Sequence, residues 1–472
     1  MHKRQLMLLI FLFLSNAIFS QNTIETIDAT VKQYAEKDLF SGVVLVTENG
    51  KPVYETAFGM LDREQNIPMK TDTKLKIGSI VKDFTAVLIL QLAEQNKLDL
   101  DDPMGKYLDM FPAEISQKVT IRQLLRHEAG FGDYLRDPLP RETMDSLTTV
   151  ARIIDLFKNE PLLFEPGTDE QYSNSGYTVL GAIIEKVTGK SYFDAVEQHI
   201  LQPLGMSETL FHWRKIAAQS TRPKWYMRSA TGRIFPAEVD EWPSPSGGAY
   251  ATVGDLFKFE HSLLRDNRLL SDRSKGIKAA RFSAEPAEWQ NLLNDPKYIS
   301  GKAGGSPGNN SLVLSQPAKG YTVIVLANMD EPIAEVVGKQ IFTILSGGEP
   351  EPVRLTVFEK MYQTWKAHGS DYLRQNFESI LANYELMDPP DFVLNRVGYD
   401  LLFEGNVDAA IDIFTVNTQL FPQIANTWDS LGEAHMVKGN RKLAIENYRK
   451  SLALNPGNQN AAEMLQKLET ED

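Results

Sequence analysis

Short apolar runs bracketed by turn residues mark two widely separated parts of the chain, and most of the rest follows a helical period. Residues 23–38 place apolar side chains at helical spacing. SGVVLVTENGKPVYETAFGM, beginning at Ser41, holds two apolar runs on either side of Asn49-Gly50, a dipeptide that favours a tight hairpin. From Ser79 to about Leu210 the pattern is mostly helical, broken by Pro and Gly loops. SLVLSQPAKGYTVIVLANM, beginning at Ser311, predicts a second hairpin with Ala318-Lys319-Gly320 in its turn. Strands thus lie at both ends of roughly 320 residues, with helices between them. The simplest closure pairs the terminal strands in one antiparallel sheet and lets the middle form a helical subdomain. A cleft between the two is the expected ligand site.

The pattern changes at SGGEPEPVRL (346–355), where Gly, Pro and charge predict a linker, so residues 346–390 read as linker and helix. Beyond it NRVGYDLLFEGNVDAAIDIFTVNTQLFPQ aligns with WDSLGEAHMVKGNRKLAIENYRKSLALNPG at a shift of 34 residues. The shift superposes Gly398 on Gly432, Gly405 on Gly439, Ala410 on Ala444, Phe414 on Tyr448 and Pro422 on Pro456. This resembles the tetratricopeptide repeat, with Trp428, Leu431, Gly432, Ala444 and Pro456 at matching positions. The resemblance implies an all-α domain over residues 391–472 that holds a protein or peptide partner. The alternative is that it only caps its neighbour. Two repeats and a closing helix at 459–469 are few for independent stability, so packing on 354–386 or on the preceding domain is expected.

Composition narrows the function classes. At 472 residues the chain is too long for one ordinary core. A formal charge of −13 argues against a nucleic-acid partner, because phosphate binding needs a basic surface. The absence of cysteine excludes disulfides, zinc-thiolate sites and a cysteine nucleophile. The seven histidines are scattered without a His-Glu-x-x-His pattern, so no metal or cofactor site is expected and His127 reads as structural. Lys3 and Arg4 precede an apolar run from Leu6 to Leu14, and Ser20 offers a small residue for cleavage. Residues 1–20 therefore read as a signal peptide, with an uncut anchor as the alternative. Its removal leaves a chain of charge −15, exported to the periplasm or beyond, with no stable membrane anchor.

The candidate chemistry begins at IGSIVKDFTAVLILQLAEQ. Ser79 opens an apolar run and Lys82 follows three residues later, on the same helical face. Ser79 is either a helix cap or a nucleophile with Lys82 as its base. The helix is apolar nearly all round, which predicts burial and a lysine pushed toward its neutral form. Candidate partners lie at Tyr172-Ser173-Asn174, entering a helix, and at Lys302-Ala303-Gly304, before the C-terminal hairpin. Gly304-Gly305-Ser306-Pro307-Gly308 fits Gly-x-Ser-x-Gly, but Pro307 lacks the N–H that such an elbow needs after its serine, and a strand follows.

In the order Ser-x-x-Lys, Tyr-x-Asn, Lys-x-Gly, the three motifs resemble the penicillin-recognising serine hydrolases. The branch is that of the class C β-lactamases, D-alanyl-D-alanine carboxypeptidases and related esterases. VTIRQLLRHEAGF, FEPGTDEQYSNSGYTVLG, ILQPLGMSETLF and PSGGAYATVGDLFKF agree with it, over about residues 25 to 345. The resemblance implies an α/β domain over 21–345, with an antiparallel sheet from N- and C-terminal strands flanked by helices, and a separate all-α C-terminal domain. It also implies the roles. Ser79 attacks a carbonyl to form an acyl-enzyme, and Lys82 and Tyr172 share the proton traffic. Asn174 and Gly304 contact substrate. Lys302 lowers the tyrosine pKa and attracts a substrate carboxylate. The backbone N–H groups of Ser79 and Gly305 form the oxyanion hole. The chain departs from the family's pattern in His127-Glu128-Ala129-Gly130, where His-Thr-Ser-Gly is frequent, and in Lys302, where many relatives carry His. The substrate expected is a small molecule or peptide: a D-amino-acid peptide, a β-lactam or an ester. A rival reading is an inactive hydrolase domain that serves as a binding module.

Overall fold

The computed structural model describes residues 22–136, 139–237, 242–384, 386 and 389–470. The predicted signal peptide lies outside them. Among the described residues, no helix is long and apolar enough to cross a membrane. The chain forms two compact units, residues 1–227 with 236–351, and residues 228–235 with 352–472.

The first unit is built on a five-stranded antiparallel sheet. Its strands are β1 (Gly42–Glu48), β2 (Lys51–Phe58), β3 (Ser300–Ser306), β4 (Asn309–Gln316) and β5 (Tyr321–Ala327), in the spatial order β2-β1-β5-β4-β3. Asn49 and Gly50 both adopt positive φ in the β1–β2 turn, the conformation that this dipeptide favours. The first strand pairs with the last, from Gly42 opposite Ala327 to Glu48 opposite Tyr321. The sheet closes as the terminal hairpins predict. One feature differs from the sequence reading. Lys302 and Gly304 lie inside an edge strand of their own, hydrogen-bonded to β4, rather than in a lead-in to the hairpin.

Helices cover both faces. The helix over 22–36, α1, buries Ile27, Val31 and Tyr34. α2 (Val81–Glu94) is buried along most of its length, as its apolar composition predicts. α3 (Asn174–Thr188) packs against α2, α4 (Val253–Arg265) lies on β1 and β5, and α5 (Ile333–Leu345) lies on β4 and β5. One apolar core joins Val43, Leu45, Ile324 and Leu326 of the sheet to Phe84, Val87 and Leu90 of α2 and Val179 and Ile183 of α3. The residues at the N-terminal ends of α2 and α3 are therefore fixed by a common core.

The second unit is helical. Its helices pair in sequence as Val357–His368 with Ser370–Leu381, Pro390–Phe403 with Val407–Leu420, and Ala425–Val437 with Arg441–Leu454, closed by Gln459–Thr470. The stretch 354–386, read from the sequence as a helix or a decayed repeat, is broken at Gly369, whose φ of +83° suits a residue without Cβ. A third helix pair results. A short hairpin segment, Arg228–Phe235, also belongs to this unit. Ala230 is buried there, and its N–H donates to Asp400 Oδ2 at 2.7 Å. Arg228 pairs with Glu359 at 2.9 Å, and Ser229 Oγ donates to Glu404 at 2.8 Å.

Candidate active site

Ser79 sits in a one-turn 3₁₀ segment, Gly78–Ile80, that leads into α2. Its side chain caps nothing: residue 80 occupies the cap position of α2 and makes no side-chain cap bond. The Ser79 Oγ instead lies 2.7 Å from the Tyr172 hydroxyl and accepts from Lys82 Nζ at 3.2 Å. The cap role open to Ser79 from the sequence is not the one its side chain takes at α2.

Two glycines make this turn possible. Gly78 has φ of +47°, and a Cβ there would come within 2.7 Å of Gly304 C and Gly305 N. A Cβ on Gly304 would come within 2.4 Å of Ser79 N and 2.6 Å of the Ile77 carbonyl oxygen. Strand β3 and the serine turn therefore touch backbone to backbone. This contact places the nitrogens of Ser79 and Gly305 at one junction, and it is a physical reason for the glycine of Lys-x-Gly.

Lys82 is buried at 7% exposure. Its ammonium donates to Asn174 Oδ1 and to the Ser246 carbonyl, both at 2.7 Å, in addition to Ser79 Oγ. It also lies 4.7 Å from the centre of the Tyr172 ring.

Tyr172 and Asn174 flank the cap of α3. Ser173 Oγ accepts from Gly176 N–H at 3.1 Å and donates to the Gly132 carbonyl at 2.9 Å. This cap leaves Tyr172 half exposed, at 49%, and sets Asn174 as the first helical residue. Asp133 completes the arrangement. Its Oδ2 accepts from Asn174 Nδ2 at 2.9 Å and from Asn174 N–H at 3.2 Å. The amide nitrogen is thereby held on Asp133, and the amide oxygen faces Lys82.

His127 underlies Tyr172. Its Nδ1 accepts the Ser173 N–H at 3.1 Å, and its ring lies 4.7 Å from that of Tyr172 and 5.1 Å from that of Tyr177. Burial first, then the Lys82 charge, lowers its pKa to about 4, so it is a neutral packing group at pH 7. In the variant loop after it, Glu128 accepts from Arg126 Nε at 2.8 Å and Ala129 is buried.

Lys302 is not brought to Ser79 by any of these bonds. Its ammonium forms an ion pair with Asp83 and another with Glu260 at 2.8 Å, and Asp83 also binds Lys278 at 2.9 Å. Glu260 is 1% exposed. Burial opposes the charge on Asp83, but Lys278 and then Lys302 outweigh it and hold its carboxyl well below the usual range. Burial likewise opposes the charge on Lys302, and Asp83 and Glu260 outweigh it and hold its pKa above that of an ordinary lysine. Two carboxylates thus stand against the Lys302 ammonium.

Ser306 ends β3, and residues 307 and 308 turn directly into β4, so the strand-to-helix elbow of its motif is absent. A cavity of about 250 Å³ lies between the C-terminal ends of α2 and α3, lined by Gln91, Lys97, Ile184, Lys190 and His199. Ser79 and Tyr172 are at the opposite, N-terminal ends.

The β-lactamase family model matches residues 27–345. The chain belongs to the β-lactamase family. This family member is 30% identical over 339 residues to a penicillin-binding protein of Bacillus subtilis (strain 168), covering 66% of this chain and 73% of the relative. It spans 63–73% of the length of the curated relatives it matches. Among solved structures, an octameric penicillin-binding protein homologue from Pyrococcus abyssi superposes with a TM-score of 0.59 at 25% identity, over 73% of this chain and 81% of that one. A D-stereospecific amidohydrolase from Streptomyces sp. superposes with a TM-score of 0.52 at 25% identity, over 65% of this chain and 94% of that one. The β-lactamase-like fold with its antiparallel sheet is shared with these structures, and a helical region follows it here.

The sequence pattern missed Asp133, Asp83, Glu260 and the Ser246 carbonyl. Asp83 directly follows the serine motif, yet Glu260, which shares Lys302 with it, is 177 positions away and no spacing announces the two together.

Proposed function

We propose that this β-lactamase-family chain is an exported serine hydrolase that cleaves an amide or ester through an acyl intermediate on Ser79. The observation that carries the reading is the short path Tyr172 hydroxyl, Ser79 Oγ, Lys82 Nζ, with separations of 2.7 and 3.2 Å. In the reacting form Tyr172 is the tyrosinate, with the Lys82 ammonium 4.7 Å from its ring; it takes the Ser79 proton as Oγ attacks the carbonyl, and the negative charge passes from Tyr172 to the carbonyl oxygen. The backbone N–H groups of Ser79 and Gly305 receive the oxyanion. Tyr172 returns the proton to the leaving group, and a water then repeats the sequence to release the acid. The amidohydrolase among its structural relatives supports an amide as one bond cleaved. Export rests on the charged and apolar pattern of residues 1–20.

The test is labelling of the full-length chain with a fluorescent penicillin and, separately, with a fluorophosphonate. Phosphonate labelling that Ser79→Ala abolishes supports the reading. A folded protein that neither reagent labels at Ser79 overturns it and favours a binding module. For the helical unit we propose a protein or peptide partner. Phe403 and Val437, at equivalent helix ends 34 residues apart, are 81% and 54% exposed, and paired exposed apolar positions suit such a role.

A further inference from the structure

The charges behind the site point to its substrate class. Lys302 stands where the motif supplies a cation for a substrate anion, but its ammonium is held by Asp83 and Glu260. Lys278 joins from the far side of Asp83, so two lysines meet two carboxylates and the cluster is neutral. The group lies over an apolar floor: Lys302 Nζ is 5.7 Å from the centre of the Phe259 ring, which stacks on Phe84 at 3.9 Å. On the other face of β3, Glu331 Oε1 lies 1.4 Å from the point that a Cβ on Gly305 would take, so a third carboxylate borders the strand. An anion arriving at Lys302 would have to displace a buried carboxylate, and that carboxylate would then be left with its charge poorly matched.

We infer that Asp83 and Glu260 remove the site's preference for a substrate carboxylate, so that its substrates are esters or amides with an uncharged group where penicillins and D-amino-acid peptides carry theirs. The inference rests on Ser79 as the nucleophile and makes that reading more specific. Asp83 and Glu260 act as specificity-determining residues through Lys302 and do not touch the reacting atoms. Selectivity arises as much from charges set against the wrong ligand as from contacts to the right one.

The experiment compares two aryl esters, 3-carbamoylphenyl and 3-carboxyphenyl phenylacetylglycinate, which differ in one charge on the leaving group. The full-length wild type should show kcat/KM about tenfold or more in favour of the carbamoyl ester. Asp83→Asn and, separately, Glu260→Gln should each move that ratio toward the carboxylate ester by about tenfold, mainly through KM. A wild-type preference for the carboxylate ester overturns the inference without need of either variant. So does an unchanged ratio in both variants when far-UV circular dichroism shows them folded. Fluorophosphonate labelling separates the two levels. Ser79 labelling with the wrong ratio overturns the charge argument alone, and no labelling at Ser79 overturns the nucleophile reading and this inference with it.

Discussion

Replacing Asp133 by Asn tests whether the Asn174 amide is a fixed part of the catalytic network. Asp133 accepts two hydrogen bonds from residue 174, at 2.9 and 3.2 Å, and so fixes which end of the amide meets Lys82. A carboxylate can only accept; an amide can accept or donate. In Asp133→Asn the Asn174 side chain is free to reverse, which would bring its NH₂ against the Lys82 ammonium. A hydrogen bond to a charged group is worth about 1.5–3 kcal/mol net, and a neutral one about 1 kcal/mol. The difference, about 0.5–2 kcal/mol, corresponds to a loss of about 2- to 30-fold in kcat/KM. The assay is hydrolysis of p-nitrophenyl acetate across pH, with fluorophosphonate labelling rates as a second measure. The pH–rate profile should also change on its alkaline side, because an acceptor that holds the Lys82 proton is weakened. A purely structural role would lower Tm and leave that profile in place. A variant with wild-type Tm, kcat/KM within about twofold and an unchanged profile refutes the argument.

Gly304→Ala should cost about 1–3 kcal/mol, because its Cβ would meet backbone atoms of Ser79 and Ile77 at 2.4 and 2.6 Å and neither can swing away. Urea unfolding should show the loss, and labelling of Ser79 should slow as the turn shifts. Gly301→Ala is the control, since its nearest neighbour is the end of the Leu314 side chain at 3.1 Å. His127 sets a pH dependence of stability. Its folded pKa of about 4 lies below the ordinary 6.5, so the unfolded chain binds the extra proton between these values. Its contribution is present above pH 6.5 and is lost as pH falls toward 4. The full span is about 3 kcal/mol as an upper figure. His127→Gln should be less stable at pH 7 and should flatten the slope between those pH values, measured by urea unfolding at a series of pH.

What the sequence disclosed follows from where each constraint is written. The β1–β2 hairpin was legible because Asn49-Gly50 carries its own turn chemistry, and α2 because its apolar run is continuous. Strand β3 was not, since GKAGG contains no strong strand former. It is a strand because β4 pairs with it and because its glycines let it lie against Ser79. The break at Gly369 and the burial of Ala230 against Asp400 are likewise tertiary facts, invisible to a window of local periodicity. The same division runs through the site. Ser79, Lys82, Tyr172 and Asn174 were named by the joint resemblance of three motifs to a known family, and they meet within hydrogen-bond distance. Lys302 was found by the same means, but the motif says nothing of Asp83 and Glu260, which decide what its charge can do. A motif names groups whose relative geometry is held by the turn and helix that carry them. The counter-charges lie outside the motif, Asp83 just after it on α2 and Glu260 on α4. The proposed reaction class is therefore readable from such a sequence earlier than substrate charge, and in this chain the two are separated by a carboxylate next to Lys82 and another on a distant helix.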